Sequence, residues 1–208
     1  MVSPSHPSRE AYYHVLSDTL PPSTLVVTAL GNASYLWATI RDAAENFYLE
    51  DAMGLALPLA LGLAVSQPER QVVVVEGDGG LMMHLGGLVT VGAVAPPNLT
   101  VLLIDNGMHG ASGGQALASE HLDLPALARA TGIEAVAVVD SEAALRTGLS
   151  QALERDGLSF LALATAPDLQ IVVPPAALNP VAVKRRFQAA VGLPHYVSTI
   201  FGGGVSVI

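Results

Sequence analysis

The sequence predicts an α/β protein: a three-layer, mostly parallel, doubly wound sheet with helices on both faces. Three observations predict it. The run Val72-Val73-Val74-Val75 is β-branched with no polar alternation, as in a strand buried on both faces. A second apolar run, 99–104, follows after a helix-length interval. Strand-like and helix-like segments keep alternating to about residue 164, which implies right-handed crossovers in a parallel sheet.

Taken in order, 25–29 reads as a strand leading into Leu30-Gly31-Asn32-Ala33-Ser34, a small-polar turn that opens a helix. The apolar segment 52–65 is shorter than a membrane span and contains Pro58, so it reads as a buried helix. Residues 71–76 form the central strand and Gly77-Asp78-Gly79-Gly80 its turn. A helix then runs from Leu81 to about Ala95, stopped by Pro96-Pro97, and 99–104 delivers Asp105-Asn106. Helices over 124–131 and 141–154 alternate with strands over 134–139 and 159–164. Pro167, Pro174, Pro175 and Pro180 break the pattern before a helix over 181–191. The expectation is one diphosphate-binding domain over 1–192, helical from about 167, and a tail over 193–208 carrying Gly202-Gly203-Gly204.

The Gly77–Gly80 turn and Asn106, 26 positions after Gly80, are the most informative features. A helix of ~15 residues at 1.5 Å each returns about the length of a six- or seven-residue strand, so both turns end on one sheet edge. There Gly79 and Gly80 open a helix whose free N–H groups can face an anion. No Lys or Arg occurs from Gln71 through Ala128, so phosphate charge on this stretch needs a cation plus backbone N–H groups. Mg2+, or alternatively Ca2+, fits oxygen ligands: the Asp78 carboxylate, the Asn106 side-chain carbonyl and the Met108 backbone carbonyl. A tight turn of any Rossmann-like domain is the competing reading, but a third glycine, the following acid and a Walker loop are all absent.

At these residues the chain resembles the thiamin diphosphate (ThDP) enzymes. Glu50-Asp51-Ala52-Met53-Gly54-Leu55-Ala56-Leu57-Pro58 is similar to the segment by which family decarboxylases hold the aminopyrimidine. The stretch from Asp105-Asn106-Gly107-Met108-His109 to Gln115 is similar to phosphonopyruvate and sulfopyruvate decarboxylases. From about Arg9 to Gly192 the chain resembles their diphosphate-binding half, above all the β subunit of the two-chain sulfopyruvate type. Asp105 departs from the pattern, since many relatives carry Asn there.

The resemblance implies that Gly77, Asp78, Gly79, Gly80, Asn106 and Met108 hold the cofactor, with Asp78, Asn106 and Met108 on the metal. It implies that the Asp51 carbonyl accepts from the cofactor's amino group and that Met53 supports its bent conformation; on residue type alone, Met53 equally fills a core gap. Gly31, Asn32 and Ser34 become diphosphate contacts, or plain caps. His109 handles a proton or is an exposed loop histidine, while His84 reads as an interior or interface histidine. His6, His14, His121 and His195 show no metal-ligand spacing. The loop 110–115 is a candidate cover over substrate.

ThDP activation in this family needs a glutamate from a separate pyrimidine-binding domain, and 208 residues hold one α/β domain plus a tail. The expected partner is a pyrimidine-domain (α-type) subunit carrying that glutamate, in an α2β2 or larger heteromer. The expected activity is decarboxylation of a small 2-oxo acid, sulfopyruvate- or phosphonopyruvate-like. A carboligase subunit of the acetolactate-synthase type and a non-catalytic ThDP-binding assembly subunit are the alternatives.

Composition is in keeping with a partnered, cytoplasmic protein: 51% apolar, 13% charged, no cysteine. A net charge of −9 argues against nucleic-acid or acidic-membrane partners.

Overall fold

The computed structural model of the chain describes residues 5–117, 122–167 and 178–193. Its strands are β1 (Leu25–Thr28), β2 (Asn46–Tyr48), β3 (Val72–Gly77), β4 (Leu99–Asp105), the two-residue β5 (Met108–His109) and β6 (Gln115–Ala116), β7 (Ala135–Val139) and β8 (Ser159–Ala164). Six of them form a sheet ordered β2-β1-β3-β4-β8-β7 in which every neighbouring pair is parallel. β5 and β6 pair apart from it as a small antiparallel hairpin.

The valine run behaves as its chemistry demands. Val72 and Val74 face one core, Val73 and Val75 the other, and none is more than 1% exposed. Each such side chain contributes on the order of 1.5–3 kcal/mol by leaving water. The helices are α1 (Arg9–Thr19), α2 (Asn32–Ile40), α3 (Ala56–Ser66), α4 (Asp78–Met83), α5 (Leu85–Val94), α6 (Leu124–Ala130), α7 (Glu142–Glu154) and α8 (Pro180–Ala190). α3, α4, α5 and α6 cover one face through Leu57, Leu81, Leu88 and Leu124; α1, α2 and α7 cover the other through Tyr13, Trp37 and Leu145. α8 bridges both cores at the β2 edge with Phe187 and Val183. The expected three-layer α/β architecture is therefore present.

Side-chain caps fix several helix starts: Ser8, Asp123, Ser141 and Asn179 each accept a backbone N–H from the first turn that follows. The helix expected over 81–95 is instead two helices, broken at His84 (φ −137°, ψ 50°). Its glycines favour helix weakly, and the His84 ring occupies the space where a Gly87 side chain would be, so the chain turns there. The segment 52–65 becomes helical only from Ala56, and Val65 on it stays exposed. Neither α1 nor β2 was foreseen. The buried face of α1 is built on Tyr12 and Tyr13, and β2 is only three residues long.

Pro174, Pro175, His121, His195 and the tail glycines lie outside the described residues. No helix among the described residues is long and apolar enough to cross a membrane.

Candidate functional site

The chain reverses its winding between β1 and β3: β2 lies outside β1 on one side, while β4 follows β3 on the other. Open parallel sheets bind ligands at the carboxyl ends of strands flanking such a reversal. Here those ends are Leu30–Asn32 after β1 and Gly77–Asp78 after β3. The parallel register pairs Gly77 with Ile104, so Asn106 emerges at the same edge, as the segment lengths predict.

Asp78 joins the two turns. Its Oδ2 accepts the N–H of Gly107 at 2.7 Å and of Asn106 at 3.0 Å, and its Oδ1 accepts the N–H of Gly79 at 2.8 Å. Gly107 adopts φ +70°, a conformation that favours glycine, and this lets its N–H turn back. Asn106 Oδ1 accepts the Met108 N–H at 3.2 Å. Asp78 and Asn106 are only 3% and 4% exposed. Burial pushes the Asp78 carboxyl up to about 7 against the lowering pull of those N–H groups, and Asp105 adds to the rise.

A cavity of about 310 Å³ opens beside them. Asn32, Met53, Gly77, Asp78, Gly79 and Gly80 line it, together with Asn106, Met108 and His109. Met53 is 36% exposed, which removes it from the core. The His109 ring packs on Gly79, where an added Cβ would lie 2.8 Å from Cε1. Gly31 holds φ +70°, and a Cβ there would reach to 3.3 Å of Ala111 Cβ, so the turn after β1 touches the loop 110–115.

Three expected contacts, Gly31, Ser34 and Asp51, stand apart from the cavity lining. Ser34 is fully buried, and its Oγ donates to the Ala29 carbonyl and lies 2.8 Å from Thr28 Oγ1, tying α2 to the end of β1. Asp51 is exposed, with φ +52°. That left-handed backbone costs a non-glycine residue on the order of 1 kcal/mol or more and turns the chain into the Met53 segment. His84 faces Gly87 rather than the cavity.

The structure adds two residues that sequence reasoning missed. Glu76 is 1% exposed; its Oε1 accepts the Gly77 N–H at 3.0 Å, while Oε2 has no partner among the described residues. Burial pushes it up to about 7, opposed by the N–H groups of Gly77, Leu57 and Ala56. Glu76 thus faces the start of α3, which has no side-chain cap of its own. The signal was available: an acid ending a run of four valines in a buried strand. Arg9, from the first turn of α1, also lines the cavity and is 6% exposed. Nothing near residue 78 in the sequence announces it.

The donor set fits a hard divalent cation. Asp78 is a buried carboxylate with no ion pair among the described residues, and its three N–H partners, two on Oδ2 and one on Oδ1, leave a lone pair on Oδ1. The Asn106 side-chain oxygen lies in the turn that Asp78 grips, and Met108 lines the same cavity. No cluster of three or more His, Cys, Asp or Glu competes as a metal centre among the described residues.

Comparison with known proteins agrees with the geometry. The family described as thiamine pyrophosphate enzyme, C-terminal TPP binding domain, matches residues 31–163, which contain Gly31, Asp78 and Asn106. Phosphonopyruvate decarboxylase of Streptomyces viridochromogenes is 40% identical over 206 residues, 98% of this chain and 52% of that protein. Sulfopyruvate decarboxylase subunit beta of Methanothermobacter thermautotrophicus is 39% identical over 143 residues, 69% of this chain and 74% of that subunit. The structure of benzoylformate decarboxylase from Polynucleobacter necessarius superposes with a TM-score of 0.66 at 21% identity, over 80% of this chain and 34% of that one. The chain spans about half the length of the phosphonopyruvate decarboxylases it matches. By fold and by sequence, the chain belongs to the thiamine pyrophosphate enzymes, as their C-terminal TPP-binding domain.

Proposed function

We propose that this chain is the ThDP- and Mg2+-binding part of a decarboxylase that converts a small 2-oxo acid, of the sulfopyruvate or phosphonopyruvate kind, into an aldehyde and carbon dioxide. One observation carries the reading: the buried Asp78 carboxylate gathers N–H groups from the turns after β3 and β4 at the reversal point of the sheet. Such a carboxylate is poised for a cation, and a cation there anchors a diphosphate.

Asp78, the Asn106 side-chain oxygen and the Met108 carbonyl are the metal ligands in this reading. Gly31, Asn32, Gly77, Gly79 and Gly80 bring backbone close to the diphosphate, with Ser34 bracing the turn after β1. Asp51 and Met53 receive the aminopyrimidine and hold the cofactor bent. ThDP, when bound, supplies the electron sink that takes up the pair left when carbon dioxide departs. His109, beside the cavity, holds or delivers a proton at the substrate, and the loop 110–115 limits water there.

The activating glutamate comes from a pyrimidine-domain partner subunit, in a heteromer with at least two copies of each chain. The similarity to sulfopyruvate decarboxylase subunits named beta supports this organisation. Residues 1–192 act as a single binding domain.

Co-expression with a pyrimidine-domain chain tests the reading. The pair is expected to bind ThDP only with Mg2+ and to release carbon dioxide from a 2-oxo acid. Binding of ThDP with no consumption across a panel of 2-oxo acids would shift the assignment to an assembly subunit. Product that appears only with an added acceptor aldehyde would shift it to a carboligase.

A further inference from the structure

We infer that Arg9 is a direct ligand of the cofactor's diphosphate, sharing with the metal ion the neutralisation of its charge. The inference rests on the reading of the cavity as a ThDP site. It goes beyond that reading because residue 9 lies outside the span matched by the family, 31–163.

Arg9 is more than nine-tenths buried, and its guanidinium makes no ion pair or hydrogen bond among the described residues. An arginine is almost never buried to this degree without an anionic or hydrogen-bonding partner, because desolvation of the charge is uncompensated. Helix stability does not explain it: Arg9 is the first residue of α1, where the helix dipole disfavours a cation. What remains is the cavity that Arg9 lines together with Gly77, Asp78, Gly79 and Asn106.

The fold holds it there. The Ala166 N–H donates to the Pro7 carbonyl at 3.0 Å, which ties the entry of α1 to the end of β8. One turn on, the Tyr12 hydroxyl lies 3.0 Å from the Ala164 carbonyl and 3.2 Å from that of Val139. The first turn of α1 is thus fixed at the carboxyl edge of the sheet. The charge also bears on the buried Tyr13 hydroxyl, which burial raises and Arg9 lowers.

The other ionisable groups lining this cavity are Glu76, Asp78 and His109, so Arg9 is its only permanent cation among the described residues. A diphosphate carries more negative charge than one divalent ion neutralises, and two carboxylates nearby add to the repulsion. A guanidinium with its fork of N–H donors meets both needs, taking two phosphoryl oxygens at once. The absence of Lys and Arg from 71–128 therefore does not leave the work to metal and backbone alone: the tertiary fold imports the cation from α1.

The test is calorimetric titration of the full chain paired with its co-expressed pyrimidine-domain partner, with ThDP at saturating Mg2+, repeated with Mg2+ and inorganic pyrophosphate. Arg9→Gln is expected to weaken both by about 10- to 100-fold, the equivalent of one charge-assisted hydrogen-bond set. Arg9→Lys should recover part of the loss, and thiamin monophosphate should lose less than ThDP. A merely structural role for Arg9 would not follow phosphate number in this way. Melting curves without ligand identify variants that fail to fold, and Arg9→Met, which keeps the bulk without the charge, serves if Arg9→Gln does. Wild-type affinity in the folded neutral variants overturns the inference while leaving the ThDP reading intact. A wild-type pair that binds neither ThDP nor pyrophosphate removes the reading, and the inference with it.

Discussion

A Cβ placed on Gly80 would lie 2.2 Å from Glu76 Oε1 and 2.9 Å from its Cδ, so these two residues fill adjoining space with none left over. Glu76 has little room to yield. Its Oε1 holds the Gly77 N–H, and the side chain is sealed between β3 and the start of α3. The turn that carries Asp78 is thereby fixed against the segment that carries Met53.

Gly80→Ala is accordingly expected to destabilise the protein by about 1–3 kcal/mol through overpacking, despite the better helix propensity of alanine. Gly62→Ala is the matched control. It lies inside α3, exposed, and nothing stands within 4 Å of the added carbon, so a gain of about 0.4–1 kcal/mol is expected. Urea unfolding of both variants measures the contrast.

Asp78→Ala leaves the N–H groups of Gly79, Asn106 and Gly107 without their acceptor. A loss of about 1–3 kcal/mol for each donor kept from water is expected, together with loss of Mg2+-dependent ThDP binding. Asp78→Asn retains an acceptor oxygen and should fold better while binding no better. Calorimetric affinity equal to wild type in Asp78→Asn would remove Asp78 from the metal ligands. Chelation of Mg2+ from the wild type should reproduce the binding loss without unfolding the chain.

Met53→Ala separates two roles. Because Met53 is exposed, its truncation should change stability by no more than about 0.5 kcal/mol. ThDP affinity or turnover of the assembled enzyme should fall nonetheless. A large drop in melting temperature with unchanged cofactor binding would return Met53 to a packing role.

The Asp42–Arg186 pair sets an acid limit on the attachment of α8. Asp42 accepts both guanidinium N–H groups, one at 2.7 Å, and the Tyr48 hydroxyl donates to it at 2.9 Å. Burial raises its carboxyl, but Arg186 and Tyr48 outweigh that and hold it below the ordinary aspartate value of 3.8. A carboxyl lowered on folding contributes stability that is complete above its unfolded value and lost as pH falls through the folded one. Arg186→Gln should therefore melt earlier near pH 6, by the equivalent of about 0.5–1 kcal/mol for a partly exposed pair, and the gap should narrow progressively as pH falls below 3.8. A gap that does not narrow as pH falls below 3.8 would assign the effect to packing of the arginine stem.

The motif halves were legible because their signals are local: a turn needs its glycines and a buried strand its β-branched run, wherever the rest of the chain goes. Glu76 was half legible, as an acid in an apolar context whose partner at the start of α3 lies about 20 positions away. The break at His84 was hidden because one side chain's packing against Gly87 decided between a single helix and two.

By itself, the sequence determined the alternating α/β order, the buried valine strand and the common edge at which Asp78 and Asn106 emerge. Period, branching and segment length act over neighbouring residues, and they suffice for that. Only the tertiary structure decided that Ser34 braces a strand end, that Met53 faces the cavity and that Arg9 is carried to it. Each depends on which surfaces meet across the sheet, and burial and charge compensation are settled between residues far apart in the chain.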